Sequence, residues 1–157
     1  MQTLRVKKKT LTMKYLYAIV FSTIFLVSGC GIDRQLERRE DRLVGTWEIE
    51  RAVFNEDGAL FNDNITDDFR GDRVTFFRNG QLEYITGDGR FFAGTWFIDA
   101  LRDLDDDLEF TMDADFFEPN GRLAFRWLGT IDRLTNNNFN INISEVDGTL
   151  RLKWDKL

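Results

Sequence analysis

From Leu43 onward, apolar and polar residues alternate along a series of short segments. Phe139, Ile141 and Ile143 interleave with Asn140, Asn142 and Ser144, and Leu150, Leu152 and Trp154 with Arg151, Lys153 and Asp155. Leu123, Phe125 and Trp127 interleave with Ala124 and Arg126. Successive side chains on a strand point to opposite faces, so each segment buries one face and wets the other. Turn dipeptides separate the segments: Asp57-Gly58, Asn79-Gly80, Asp88-Gly89, Asn120-Gly121 and Asp147-Gly148. Such pairs supply the positive φ angles that tight hairpins need. The pattern predicts eight strands, near residues 44–54, 73–79, 81–87, 91–99, 107–112, 122–134, 139–146 and 149–155. No segment after residue 43 has a helical period, and residues 55–71 form the one long irregular stretch. The sole proline, Pro119, sits beside a turn, where its missing N–H costs little. Eight short strands joined mostly by hairpins imply an all-β fold. It is an eight-stranded antiparallel up-and-down barrel, which has no edge strands, or else an open two-sheet β-sandwich.

The first thirty residues follow a different rule. Arg5, Lys7, Lys8, Lys9 and Lys14 make a basic start with no acidic residue. Residues 15–27 are almost wholly apolar, broken only by Ser22 and Thr23, and the small residues Ser28 and Gly29 precede Cys30. That order marks a secretory signal peptide. The apolar core is shorter than the roughly 20 residues a membrane-spanning helix needs. A start at Met13 would also leave a complete signal. Val27-Ser28-Gly29-Cys30 resembles the lipobox of bacterial lipoproteins. The resemblance implies cleavage before Cys30, a diacylglycerol on its thiol and a membrane anchor. Several acyl chains at about 0.8 kcal/mol per buried methylene make such an anchor stable. Gly31 in place of an Asp after the cysteine implies, by the same resemblance, the outer membrane of a Gram-negative bacterium.

The chain therefore divides into a leader (1–29), a lipidated cysteine with a tether (30–42) and a folded domain (43–157). The tether, GIDRQLERREDR, is strongly charged with only Ile32 and Leu36 apolar, and reads as a flexible or weakly helical spacer. The leader holds five of the 21 Lys+Arg and none of the 27 Asp+Glu, so the remainder carries 16 against 27, a charge of −11. That balance argues against nucleic acid and against flat binding to anionic lipid.

Candidate chemistry is sparse. The chain has no His, which removes Ser-His-Asp and Cys-His arrangements and imidazole-based zinc sites. Cys30 is the only Cys, so no intramolecular disulfide forms and the fold must hold by packing. Paired carboxylates are conceivable, but nothing fixes two of them opposite each other. The expectation is a protein that is not an enzyme and needs no cofactor or metal. Asp103-Leu104-Asp105-Asp106-Asp107 invites a calcium reading but fails as an EF-hand loop. Leu108 stands where Gly is required and Ala114 where the bidentate Glu is required. That run, and Asn62-Asp63-Asn64 with Asp67 and Asp68, read by default as solvated turns. Residues 136–138, all Asn, read as a hairpin turn.

Leu43-Val44-Gly45-Thr46-Trp47 resembles the Gly-x-Trp motif on the first strand of lipocalins and lipocalin-like bacterial lipoproteins. Gly94-Thr95-Trp96 echoes it in mid-chain, and the likeness runs over about residues 43–154. It implies that Trp47 plugs the closed end of the barrel and that an Arg of the last strand lies across its ring. Arg151 is the candidate and Arg126 the second. A guanidinium over an indole is worth about 0.5–2 kcal/mol. Gly45 would let the backbone pass close to that ring. The family's second motif is not recognisable here. The implied function is binding of a small hydrophobic ligand in the cell envelope, and the 15 Phe either fill the barrel or line an apolar cavity at one end. The alternative is an interaction module with an envelope protein partner. It would use the 55–71 loop, where Leu60, Phe61, Ile65 and Phe69 sit among acids. A lid over one barrel mouth is the third reading of that loop.

Overall fold

The structure is a computed structural model that describes residues 30–102 and 107–157. The lipobox positions Val27, Ser28 and Gly29 lie outside the described residues, as does the acidic run at 103–106. The chain forms two compact units, Met1–Gln35 and Leu36–Leu157. Of the first, residues 30–35 are described and are helical. The second contains nine strands: β1 (Gly45–Glu56), β2 (Asp63–Asn64), β3 (Arg73–Phe76), β4 (Gln81–Ile85), β5 (Phe91–Arg102), β6 (Leu108–Phe117), β7 (Leu123–Leu134), β8 (Asn138–Glu145) and β9 (Gly148–Lys156).

Strands β3 to β9 pair in sequence order, every pair antiparallel. Strand β1 then pairs with both β3 and β9. The eight strands β1 and β3–β9 thus close into an up-and-down barrel of lipocalin-like architecture. The β1–β9 ladder excludes the open sandwich. β2 is an addition of two residues beside the far half of β1. The alternation read from sequence supplies the core: Phe139, Ile141, Ile143, Leu150, Leu152 and Trp154 are all buried, and their neighbours face out.

Three hairpins share one design. In 77–80, 86–89 and 118–121 the glycine N–H donates to the carbonyl three residues back. Each of these three glycines has positive φ. This is the geometry of a type I turn followed by a left-handed glycine, with Pro119 at the position where its fixed φ fits.

The barrel has a closed end and an open end. Helix α1 (Cys30–Leu43) reaches the closed end, so the expected spacer is helical throughout. Asp33 in its first turn and Arg42 in its last suit the helix dipole. Leu36, Arg39 and Leu43 fall on one face by their spacing of three and four. Leu43 is fully buried, Leu36 packs against the core, and the Arg39 guanidinium lies 3.6 Å above the Phe110 ring. Burial, aided by Arg42, lowers the Arg39 pKa.

Trp47 is fully buried here, and its indole N–H donates to the Leu43 carbonyl at 2.7 Å. Its cation is not Arg151. The Lys156 ammonium lies 4.8 Å from the ring centroid and donates to the carbonyls of Val44 (2.7 Å) and Arg42 (2.9 Å). Arg151 faces outward, opposite Val53 and Asn142, and Arg126 is outward too, paired with Asp115. The reason is parity. Residues 150, 152 and 154 point inward, so 156 does and 151 cannot.

Gly45 has φ +133°, and a Cβ there would stand 2.5 Å from Lys156 Cε. Both backbone strain and that contact oppose a side chain. Gly45→Ala is expected to lower unfolding free energy by about 1–3 kcal/mol, measured as a fall in the urea midpoint at constant slope. An unchanged midpoint would show that the Lys156 lock is not needed.

Candidate functional site

Aromatic side chains fill the closed half of the barrel. Phe76 meets Trp96 (5.4 Å) and Phe139 (6.3 Å) edge-on, and Trp47 meets Phe139 likewise (5.9 Å). Edge-to-face contacts add to burial about 0.5–1.5 kcal/mol each. The Trp96 indole N–H is satisfied by the carbonyls of Gln81 (2.9 Å) and Phe77 (3.1 Å).

A second aromatic group lies higher. Tyr84, Phe92, Phe116, Phe125 and Trp127 converge from β4, β5, β6 and β7, with Phe116 and Phe125 stacked at 4.4 Å. Above them opens a cleft of about 1020 Å³, floored by Tyr84, Phe92, Phe125 and Trp127. Its rim carries Phe69, Leu123 and a set of charged side chains from residues 67–72, the 86–90 and 118–122 hairpins and Glu145. The phenylalanines thus do both things envisaged: some fill the barrel, others line its mouth. Behind Trp127, at 5.6 Å, Trp154 buries an indole N–H with no acceptor among the described residues. An unmet buried donor costs about 1–3 kcal/mol.

One polar group reaches into this apolar floor. Asp72 is 4 % exposed and is the one charged side chain in the buried set of described residues. It accepts a hydrogen bond from the Tyr84 hydroxyl and another from the Gly87 N–H at 2.7 Å. Gly87 is required because a Cβ there would meet the Arg70 carbonyl at 1.9 Å. The carboxylate therefore ties the segment before β3 to the β4–β5 hairpin. Burial first, and the Asp72 bond second, push the Tyr84 pKa far above its usual range, so the phenol stays a donor.

The irregular 57–72 segment completes the mouth. β3 covers only the first part of β1, and beyond it Thr66 takes over: its hydroxyl receives the Ala52 N–H (3.0 Å) and donates to the Ala52 carbonyl (3.2 Å). Residues Thr66–Phe69 form one 3-10 turn. Ile65 and Phe69 pack against the core, whereas Leu60 and Phe61 are 91 % and 83 % exposed. The loop is therefore part lid and part projecting tip.

The rim charges are largely paired. Arg122 meets Glu118 at 2.7 Å, Arg90 meets Asp88 at 3.1 Å, and Arg70 meets Asp67. Arg122 holds the Glu118 carboxyl below its ordinary range, and Thr86 together with Arg90 does so for Asp88. Asp68 and Glu145 add further negative charge.

Of the residues singled out from sequence, Gly45 and Trp47 come together at the closed end and Arg151 does not join them. None of the three lines the mouth. Asp72 and Tyr84 were missed. The inward parity of Leu82 and Tyr84 placed the phenol in the core, but nothing local marks Asp72 as buried. No family model, curated protein or solved structure matches the chain.

Tyr84→Phe removes one of the two donors to a buried carboxylate. It is expected to cost about 1–3 kcal/mol in urea unfolding while circular dichroism keeps the native strand signal. A loss under half a kcal/mol would mean that the Asp72 bond is replaced by solvent.

Proposed function

We propose that the domain binds a small apolar molecule at the open mouth of the barrel. The observation that carries this reading is the aromatic floor beneath a cleft of about 1020 Å³, a size suited to a small ligand. The rim narrows the class. Its arginines are neutralised by neighbouring acids and its residual charge is negative, which disfavours anionic ligands and suits a neutral or cationic one. Binding would be driven by removing apolar ligand area from water against Phe125 and Trp127. The neutral fluorophore N-phenyl-1-naphthylamine is expected to bind and to alter emission from Trp127. Phe125→Ser should weaken it by about tenfold, equivalent to roughly 1.4 kcal/mol, with the fold checked by circular dichroism. Failure of the probe to bind, or equal binding by the variant, would remove the mouth from consideration.

The same reading includes an anchor. Cys30, in the lipobox context Val27-Ser28-Gly29, is proposed to carry the lipid that holds the protein in the envelope, with the outer membrane as destination. Incorporation of labelled palmitate by the wild type and its loss in Cys30→Ser is the expected result. Equal labelling of both would overturn the anchor.

A second reading rests on Leu60 and Phe61, whose exposure at the loop tip suits contact with an envelope protein partner.

A further inference from the structure

Apart from Arg38, Arg39 and Arg42 of α1 and Arg102 at the end of β5, the arginines of the barrel unit fall into two sets. Arg70, Arg73, Arg78, Arg90, Arg122 and Arg126 each have a carboxylate partner. Arg51, Arg133 and Arg151 have none within ion-pair distance among the described residues, although acidic residues outnumber basic ones. These three are not scattered. All are exposed on the outer face of β1, β9, β8 and β7.

The register sets their arrangement. Arg51 stands opposite Lys153, Lys153 opposite Asn140, and Asn140 opposite Arg133, forming one row across four strands. At the usual strand spacing that row is about 14 Å long. In the next row Val53 stands opposite Arg151, and Arg151 opposite Asn142. Between the rows lies a groove of about 250 Å³, lined by Arg51, Arg151, Lys153, Asn62, Asn140 and Asn142 among others. It lies on the outer wall, and no residue lines both it and the mouth cleft. Of the four cations only Lys153 has an acid within ion-pair distance among the described residues, Glu50 at 3.1 Å, and that pair is half exposed. Asp132 also borders the groove, where it accepts the Asn142 amide at 2.8 Å. Asn142 and the exposed Asn62 bring side-chain amides to the groove.

Arg51 and Lys153 stand directly opposite as like charges, a placement unfavourable by roughly 0.2–1 kcal/mol, and of the two only Lys153 has a carboxylate partner. A ligand that answers the whole groove brings oxyanions for planar guanidinium forks and hydroxyl donors for the asparagine carbonyls. We infer that the outer face of β1, β9, β8 and β7 is a binding site for an anionic glycan. The acid groups lie along Arg51, Arg151, Lys153 and Arg133, and sugar hydroxyls meet Asn62 and Asn142. An acidic peptide has the charges but no comparable density of hydroxyls. The site is independent of the mouth, and its test does not depend on an apolar ligand.

The test is a residue-resolved NMR titration of the full chain in neutral detergent with a short heparin oligosaccharide. Reading individual amides separates this face from the basic residues of the leader. Amide shifts are expected at Asn140, Asn142 and Lys153, weakening as salt is raised. The double variant Arg51→Ser/Arg151→Ser should lose at least about tenfold in affinity at those amides, roughly 1.4 kcal/mol, while Arg78→Ser, at the other side of the barrel, changes nothing. Asn62→Ala should weaken the oligosaccharide several-fold and leave polyglutamate unaffected. The inference is overturned by absent shifts on this face at low salt, or by a double variant that binds like the wild type. Polyglutamate binding as tightly as the oligosaccharide would likewise replace the glycan with an acidic polypeptide.

Discussion

The β1–β9 ladder is the interaction on which the rest of this barrel depends. It runs from Trp47 opposite Lys156 to Glu56 opposite Gly148, with one irregularity between Ile49 and Arg51. Without it, the first and last strands would each present an unpaired edge. With it, the C-terminal strand delivers Lys156 to the carbonyls of Arg42 and Val44 and to the face of Trp47. Burial lowers the Lys156 pKa, so the folded state disfavours the charge that makes those contacts; the two carbonyls and the indole face offset that cost. Helix α1 is then held through the Trp47 bond to Leu43, and closure and capping become one event.

The two ends differ because the strands differ in length. β1 has 12 residues, whereas its neighbour β3 has four and pairs only with Gly45–Glu48. One side of the wall is therefore low at the mouth. The Thr66 hydroxyl and the Asp72 carboxylate complete it by side-chain bonds to backbone, beside the two-residue ladder of β2 and single backbone bonds from Ile49 to Asp72 and from Ile65 to Ala52. Such a rim has fewer backbone ladder bonds than the opposite wall, and it is drawn from the segment that also exposes Leu60 and Phe61. The closed end spends its aromatics on mutual packing. The open end presents them to a cleft.

Much of the barrel was legible because period-two alternation and Asn-Gly or Asp-Gly turns are local signals. All eight barrel strands lie where the alternation puts them, with the largest differences at the ends of β5 and β6. What failed was long-range. The Gly-x-Trp resemblance suggested an Arg over Trp47, yet the alternation of the last strand already placed Arg151 outside and position 156 inside. The helical state of residues 31–42 was hidden because only Leu36 and Leu43 mark its buried face, and Arg39 contributes through a ring contact that no periodicity reports. Asp72 and Tyr84 meet across 12 residues, and burial of a carboxylate follows only from where the chain returns. The mouth was foreseen as a possibility from the phenylalanine count; its floor of Phe92, Phe125 and Trp127 needed the register of three strands.

Charge placement then separates two surfaces of the same small barrel. At the mouth, Arg70, Arg90 and Arg122 each face a carboxylate within a few residues, so the rim's cations are spent locally and its field stays negative. On the outer face of β8 and β9, the partners of Arg51, Arg133 and Arg151 across the strands are Lys153, Asn140 and Asn142, none of them acidic. Strand register fixes those neighbours, since a shift of one residue would turn Ile141, Leu152 and Trp154 out of the core. The unpaired cations are therefore tied to the same closure that builds the barrel. A ligand at the mouth and an anion on the wall would meet opposite fields, and neither would compete for the other's residues.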